Sequence, residues 1–260
     1  GVFPGLLLAA LYILYVAVRA FLQPSLAPAL PEAERMIPLR QKARNLTTLI
    51  APGFLVTIVL GSIFLGVATP TESAAIGAVG AIVCAAIRRQ FSWQSFTYAL
   101  WGTTKVTCMI LWVAFGASAF IAIYGLAGGA EFVQGLITGL PLGPWGIFIM
   151  VQVLLFFMGM FFDWIAILLL AGPIVFPIMA ALGFDMVWFG AIFVMNMQMS
   201  YLTPPIGPAL VYIKGVVPPE ITMGHIIRSI WPFLILQMIG LGLVAVFPQI
   251  ALWLPSIMIR

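Results

Sequence analysis

The sequence predicts an all-α integral membrane protein, a polytopic helical bundle in which some helices are discontinuous. Hydrophobic residues make up 63% of the 260 residues and charged residues only 7%, whereas a soluble domain carries roughly a quarter charged residues. Several apolar runs are long enough to cross the hydrocarbon layer of a membrane. Prolines interrupt some of these runs, and a broken helix is tolerated in a membrane only where the freed backbone lines a cavity or binds a ligand.

The first part of the chain predicts three spans, at residues 3–22, 46–68 and 71–87. The polar segment between the first two carries four basic residues, Arg35, Arg40, Lys42 and Arg44. Arg88 and Arg89 close the third span. Because cytoplasmic loops are enriched in Lys and Arg, both basic clusters place the turn at 69–72 towards the outside. Glu72 suits the first turn of the third helix, where an acidic side chain can cap the N-terminus.

The next region admits two interpretations. Residues 91–101 alternate aromatic and polar side chains, which is typical of an amphipathic helix at the membrane interface. Residues 103–141 are apolar but rich in glycine, so they form either one span followed by a surface helix or a re-entrant hairpin with its tip near Ser118. The glycines and the short apolar halves favour the hairpin. Alternatively, Ser118 has only a structural role, as a small residue that allows close helix packing.

Residues 145–182 contain no polar loop. A single helix of this length would be about 57 Å long, nearly twice the hydrocarbon thickness, so the run must bend, break or reverse. We predict the break at 158–163, with Pro173 and Pro177 kinking the helix that follows. Asp163 is the only acid deep in the run, which suggests either a functional site or a helix N-cap at the break.

A second break is predicted where an apolar helix meets Thr203-Pro204-Pro205. Proline has no N–H and clashes with the preceding turn, so two prolines in a row cannot continue a helix. Asn196 lies just before this break and either faces a cavity or makes a helix–helix hydrogen bond. Residues 226–247 form the last full span, and a short apolar tail follows.

Four ordered motifs resemble those of the large membrane subunits of TRAP transporters (the M subunit, DctM-like). They are Phe3–Leu8, Gly66–Ala75, Gly159–Asp163 with Pro173 and Pro177, and Gly183–Asp185 followed by Phe189, Gly190, Asn196 and Thr203–Gly207. Ser200 or Tyr201 stands where the family usually has a glycine. The chain resembles the end of a first repeat plus a complete second repeat. This divides it into 1–45 (last helix of the first repeat and a cytoplasmic loop), 46–102 (scaffold-like helices and an interfacial helix), 103–216 (a transport-type region with broken helices) and 217–260 (terminal span and tail).

The resemblance implies a sodium-coupled importer of organic acids such as carboxylates, with inverted repeats and an elevator-like transport domain, in the bacterial inner membrane. Its implied partners are a small membrane subunit of the Q type, a periplasmic substrate-binding protein and the N-terminal half of the large subunit. No cofactor is implied beyond Na⁺ as the coupling ion. Nucleic acid is not expected as a partner, because the basic residues behind the net charge of +4 lie at the ends of apolar runs.

The breaks suggest one shared site. Freed carbonyl groups, helped by a threonine hydroxyl, suit a hard cation such as Na⁺, and we predict its ligands to be Ser118, Gly159, Thr203, Pro204 and Pro205. Helix N-termini favour a carboxylate, and the predicted substrate-binding residues are Asp163, Asn196 and Gly207. The alternative is another ion-coupled secondary transporter or a channel of a different family. An enzyme is not expected, since the sequence has one histidine and no nucleophile–base motif.

Overall fold

The computed structural model describes residues 1–24, 38, 49–205, 207–218 and 220–257. These residues form helices and no strand, which confirms the all-α prediction. Most of the predicted basic loop at 23–45, the first three residues of the second span at 46–48 and the last three residues of the tail lie outside the described part. The helices are α1 (Val2–Leu22), α2 (Ile50–Phe64), α3 (Pro70–Ile87), α4 (Trp93–Leu126), α5 (Gly129–Thr138), α6 (Pro144–Gly159), α7 (Trp164–Leu170), α8 (Gly172–Ala181), α9 (Met186–Tyr201), α10 (Pro208–Val216), α11 (Met223–Val246) and α12 (Gln249–Ile257).

Four of these helices, α1, α3, α4 and α11, are long and apolar enough to cross a membrane. The pair α7 and α8 makes a fifth if it is taken as one broken span. Helices α2, α6 and α9 are shorter, with 15, 16 and 16 residues. At a rise of about 1.5 Å per residue, α6 and α9 are each roughly 24 Å long, less than the roughly 30 Å of hydrocarbon.

The chain divides into two compact units. One unit comprises Ala17–Lys105 and Leu254–Arg260, and the other comprises Gly1–Val16 and Val106–Trp253. The predicted division into four segments stays a prediction.

Helices α2 and α3 form a hairpin in the unit that contains Ala17–Lys105. Thr69 caps α3: its backbone N–H donates to the Glu72 carboxylate at 2.7 Å, and its Oγ1 accepts from the Glu72 backbone N–H. This confirms the capping role expected for Glu72. The hydroxyls of Ser62 and fully buried Ser73 lie 2.8 Å apart and join the two helices. Small and hydroxyl residues thus allow this hairpin to close tightly in an apolar setting.

Helix α4 runs without a break for 34 residues, so the re-entrant hairpin predicted near Ser118 is wrong. Residues 93–101 are continuous with the rest of α4 and do not form a helix of their own, and their predicted place at the membrane interface stays a prediction. A span followed by the short helix α5 is the alternative that the structure supports. The helix ends just before Gly128, whose φ of +74° places it in the left-handed region. The glycines inside α4 interrupt nothing, because an apolar setting favours a helix that keeps its own backbone hydrogen bonds.

Helices α6, α9 and α11 form the centre of the unit that contains Val106–Trp253. The fully buried side chains of Leu155, Phe189, Ile192 and Val244 lie in its main hydrophobic cluster. The predicted break after α6 is confirmed: the helix ends at Gly159, and Asp163 caps α7. Helices α7 and α8 are bent by 60° relative to each other, with Pro173 in the first turn of α8.

The polar turn between α8 and α9 fixes where α9 begins. Gly183 has a φ of +85°, a conformation that favours glycine and ends α8. Asp185 then caps α9 by accepting a hydrogen bond from the Trp188 backbone N–H at 2.9 Å. The Trp188 indole N–H donates to the Val244 carbonyl at 2.9 Å, so the start of α9 lies at the end of α11 and the two helices are antiparallel.

Substituting Trp188 with phenylalanine is expected to lower the thermal stability of the protein in lipid nanodiscs. The ring contacts with Phe148 can persist, but the buried Val244 carbonyl loses its donor, at a cost of about 1 kcal/mol or a few degrees of melting temperature. Trp231→Phe on α11 is the matched control, because Trp231 is 58% exposed. Equal melting temperatures for both variants would contradict the role given to the indole.

Candidate functional site

The two predicted breaks meet in the structure. Helices α6 and α9 run parallel: Phe148 stacks on Trp188 near their starts, with ring centroids 5.3 Å apart. Asn196 bonds to Gln152 further along. At the ends, Gly159 packs directly against Ser200. The C-termini of both helices therefore arrive at one place.

The contact between α6 and α9 leaves no room for a side chain at Gly159. A Cβ atom on this glycine would lie 2.6 Å from Ser200 Cβ and closer still to Ser200 Oγ. Contacts this short force the backbone or its neighbour to move. Gly159 therefore brings the backbone of α6 into direct contact with the last turn of α9.

The two helix ends concentrate carbonyl oxygens. The last carbonyls of a helix lack intrahelical donors and carry partial negative charge. After α6, the turn uses the carbonyls of Phe157 and Met158. Within the described part of the chain, no backbone N–H donates to the carbonyls of Gly159 or Met160. Gly159 packs against Ser200 in the last turn of α9, and carbonyl oxygens have the chemistry that a hard cation prefers.

Thr203 closes the end of α9 and is only 7% exposed. Its backbone N–H donates to the Ser200 carbonyl at 3.0 Å, and its Oγ1 donates to the Met199 carbonyl at 2.9 Å. A hydroxyl that donates its proton keeps two lone pairs for other partners. Thr203 Oγ1 is thus oriented by the helix end while still able to accept or to ligate a cation.

The chain then turns into α10 through Pro204, Pro205 and Gly207. This confirms the predicted break. Gly207 has a φ of +36° and lies at the N-cap of α10. A Cβ atom at this position would lie 3.1 Å from the Thr203 carbonyl oxygen. The glycine therefore lets the start of α10 fold back onto the end of α9.

Asp163 is exposed and caps α7 by accepting a hydrogen bond from the Ile165 backbone N–H at 3.1 Å. The N-cap role considered from the sequence is confirmed. Its carboxylate lies close enough to Tyr201 to interact with it electrostatically, and Tyr201 neighbours Tyr212 of α10. A polar group thus borders the site, although its negative charge does not favour an anionic substrate.

Asn196 does not face a cavity. It is 1% exposed, and its Nδ2 donates to the backbone carbonyl of Gln152 at 2.8 Å and to Gln152 Oε1 at 2.7 Å. The structure thus shows the helix–helix hydrogen bond that was the alternative for Asn196, and its predicted role in substrate binding stays a prediction.

Ser118 loses the basis for its predicted role as an ion ligand. It lies within the unbroken helix α4, is exposed, and its hydroxyl donates to the Ala114 carbonyl at 2.8 Å. The prediction rested on a break that would free carbonyl groups, and α4 has no break there.

A cavity of about 490 Å³ lies beside the site between α7, α8 and α9. Trp164, Phe176 and Phe193 line it, with Gln198 and Tyr201 as its polar members. Such an apolar lining does not suit a carboxylate, which must keep hydrogen bonds or charge partners when it is buried. The cavity is therefore distinct in character from the carbonyl-rich helix ends.

Two residues of this region were missed. Gln152 is the only amide in the apolar run 145–182, and a lone polar side chain in such a run is a usable signal. For Ser200 the sequence shows only a departure from a family glycine. Its contact with Gly159 depends on how two helices that are distant in the chain pack together, which the sequence does not state.

Comparison with known proteins shows the family to which the chain belongs. A family model described as the DctM component of tripartite ATP-independent periplasmic transporters matches residues 1–250. The chain belongs to this family. The predicted resemblance is thereby confirmed, and with several apolar helices the DctM-family chain is a multi-pass membrane protein.

Three relatives show the range of the DctM family. The C4-dicarboxylate TRAP transporter large permease protein DctM of Pseudomonas aeruginosa is 31% identical, over 98% of this chain and 58% of the relative. The sialic acid large permease protein SiaM of Vibrio cholerae is 30% identical, over 88% and 52%. The 2,3-diketo-L-gulonate large permease protein YiaN of Escherichia coli is 29% identical, over 75% and 45%. All three are named as permeases, in agreement with the expectation of a non-enzymatic protein. The chain spans about half the length of these relatives.

Proposed function

We propose that the chain forms part of the permease of a sodium-coupled, binding-protein-dependent transporter that imports organic acids. One observation supports this above the others: the C-terminal ends of two parallel helices, α6 and α9, are in contact at Gly159 and Ser200. Two aligned helix ends add their partial negative charges at one point, and discontinuous helices of this kind hold coupling ions in secondary transporters.

Sodium is the cation that we assign to this point. Its ligands would be the carbonyl oxygen of Gly159, the last residue of α6, and the carbonyl oxygens that follow α9, from Thr203 to Pro205. The buried hydroxyl of Thr203 adds a further oxygen. Sodium resembles other hard cations in preferring oxygen ligands, and a mixed set of carbonyl and hydroxyl oxygens meets that preference.

The proposed substrate class rests on the helix that follows the site, because α10 presents its N-terminus there, whereas α6 and α9 present their C-termini. The N-terminus of α10 begins at Gly207, next to the Thr203 carbonyl. A helix N-terminus favours negative charge, so a carboxylate of the substrate would bind on the α10 side of the sodium ion. The three relatives are named for a dicarboxylate, sialic acid and diketogulonate, all of which carry carboxylates. Gly207 is the predicted substrate-binding residue that this polarity supports, whereas the buried side chain of Asn196 bonds to Gln152.

The partners and location follow from the same proposal. We expect a small membrane subunit of the Q type, a periplasmic substrate-binding protein and the N-terminal half of the large subunit to complete the transporter. The bacterial inner membrane is the expected location, since a periplasmic binding protein can deliver substrate only there.

Uptake by proteoliposomes tests this function. The complete transporter is expected to accumulate a radiolabelled organic acid when a sodium gradient and the binding protein are both present. Replacing sodium by choline, or omitting the binding protein, is expected to reduce accumulation to background. Uptake that persists without sodium would contradict the coupling, and uptake that persists without the binding protein would contradict the proposed class.

A further inference from the structure

The interface between α6 and α9 contains a buried amide pair that the proposed ion site does not use. Gln152 and Asn196 are 8% and 1% exposed. Asn196 Nδ2 donates both to the Gln152 backbone carbonyl and to Gln152 Oε1. A backbone carbonyl can only accept a hydrogen bond, so Asn196 must turn its NH₂ group towards α6. The orientation of the pair is therefore determined by the backbone.

The rest of this interface is apolar around the pair. Leu155, Ile192 and Phe193 pack near it and are buried. Apolar contacts are not directional, so one apolar helix can slide along another and form similar contacts in a new position. The amide pair has only one position in which its hydrogen bonds form. A polar pair of this kind is a known means of fixing register between helices.

Apart from fixing the register, the Gln152–Asn196 pair contributes little to the folding stability of the protein. Gln152 Nε2 and Asn196 Oδ1 have no hydrogen-bond partner among the described residues, although both are buried. Buried groups that stay unpaired are costly, and replacing both partners by apolar side chains of similar shape is often neutral or stabilising. A pair kept only for stability would be satisfied more completely.

We propose that Gln152 and Asn196 form a register clasp that sets the ends of α6 and α9 level with each other. Gln152 lies seven residues before Gly159, and Asn196 lies four residues before Ser200. A slide of one helical turn, about 5 Å, would therefore separate the two carbonyl-rich ends. Both residues are positioning residues in this account. The consequence for sodium rests on the proposed function, but the effect on register does not.

The test is a double variant, Gln152→Met with Asn196→Leu, in the complete transporter. Spin labels at Val153 on α6 and Val194 on α9, which are 49% and 64% exposed, report the register, with Cys84 and Cys108 replaced by serine. We expect a second distance population shifted by about 5 Å, an unchanged melting temperature, and a sodium half-saturation for uptake raised at least about tenfold. Gln237→Met is the matched control, because Gln237 is a buried amide on α11 that does not join α6 to α9.

The outcomes separate the two proposals. Label distances identical to those of the unsubstituted protein would overturn the clasp, whatever the sodium response. Shifted distances with an unchanged sodium response would support the clasp and overturn the ion site at the helix ends. If the double variant does not fold, Gln152→Met alone keeps the bond to the backbone carbonyl and is expected to show a smaller second population. An unshifted distribution in that variant would overturn the clasp.

Discussion

Replacing Gly159 with alanine is expected to reduce sodium-driven uptake at least about tenfold. The new Cβ atom would lie 2.6 Å from Ser200 Cβ, which forces the ends of α6 and α9 apart. Overpacking of this kind costs about 1–3 kcal/mol, and a loss of 1.4 kcal/mol in ion affinity is already tenfold. The measurement is initial uptake rate against sodium concentration in proteoliposomes.

A second substitution makes this prediction specific. Ser200→Gly removes both atoms that obstruct the new side chain, so it should restore uptake in the Gly159→Ala background. Ser200→Ala keeps the Cβ atom and should not restore it. Gly242→Ala is a neutral control, since a Cβ atom there meets nothing within 4 Å. If the alanine and glycine substitutions at position 200 restored uptake equally, the close contact would not be the cause.

Replacing Thr203 with valine is expected to raise the sodium half-saturation of uptake at least about tenfold, with little change in the amount of folded protein. Valine has nearly the shape of threonine, but it lacks the oxygen that we assign to the ion and the hydrogen bond to the Met199 carbonyl. Losing one ligand of a buried cation and one hydrogen bond costs more than 1.4 kcal/mol, which corresponds to tenfold in affinity.

Serine at position 203 is the control for that substitution. Thr203→Ser keeps the hydroxyl and removes only a methyl group, so its sodium response should stay close to that of the unsubstituted protein. A valine variant with the same sodium half-saturation as the serine variant would remove Thr203 from the proposed ligands.

The breaks in the helices were predictable because their causes are local. Pro204 and Pro205 cannot continue a helix in any context, and the break falls where these residues stand. The break after Gly159 followed from length, since one helix could not hold the whole apolar run. The cap at Asp163 follows from the preference of acidic side chains for helix N-termini.

The hairpin was wrongly predicted near Ser118 because the helix propensity of glycine in aqueous solution was applied to an apolar setting. Glycine weakens a helix by about 1 kcal/mol in aqueous solution, and this favoured a turn. In an apolar setting, backbone groups that leave a helix find no partner, so the helix continues through its glycines. A Cβ atom at Gly116 or Gly125 would meet nothing within 4 Å, so neither glycine is needed for a close contact.

The partners of buried side chains could not be predicted. Asn196 and Gln152 are 44 residues apart, and their contact depends on α6 and α9 being parallel neighbours. The same packing brings Ser200 to Gly159. The sequence indicated Asn196 as unusual for an apolar run, but the choice between a ligand contact and a helix contact required the packing of the unit.

Direct binding of radioactive sodium to the purified transporter tests the central claim, that two helix ends in contact hold the coupling ion. The unsubstituted protein and the Gly242→Ala variant should bind sodium saturably with equal affinity. Thr203→Val and Gly159→Ala should bind it at least about tenfold more weakly, and Ser200→Gly should restore binding in the Gly159→Ala background. Equal sodium affinity in all of these variants would contradict the account, because the ion would then bind elsewhere.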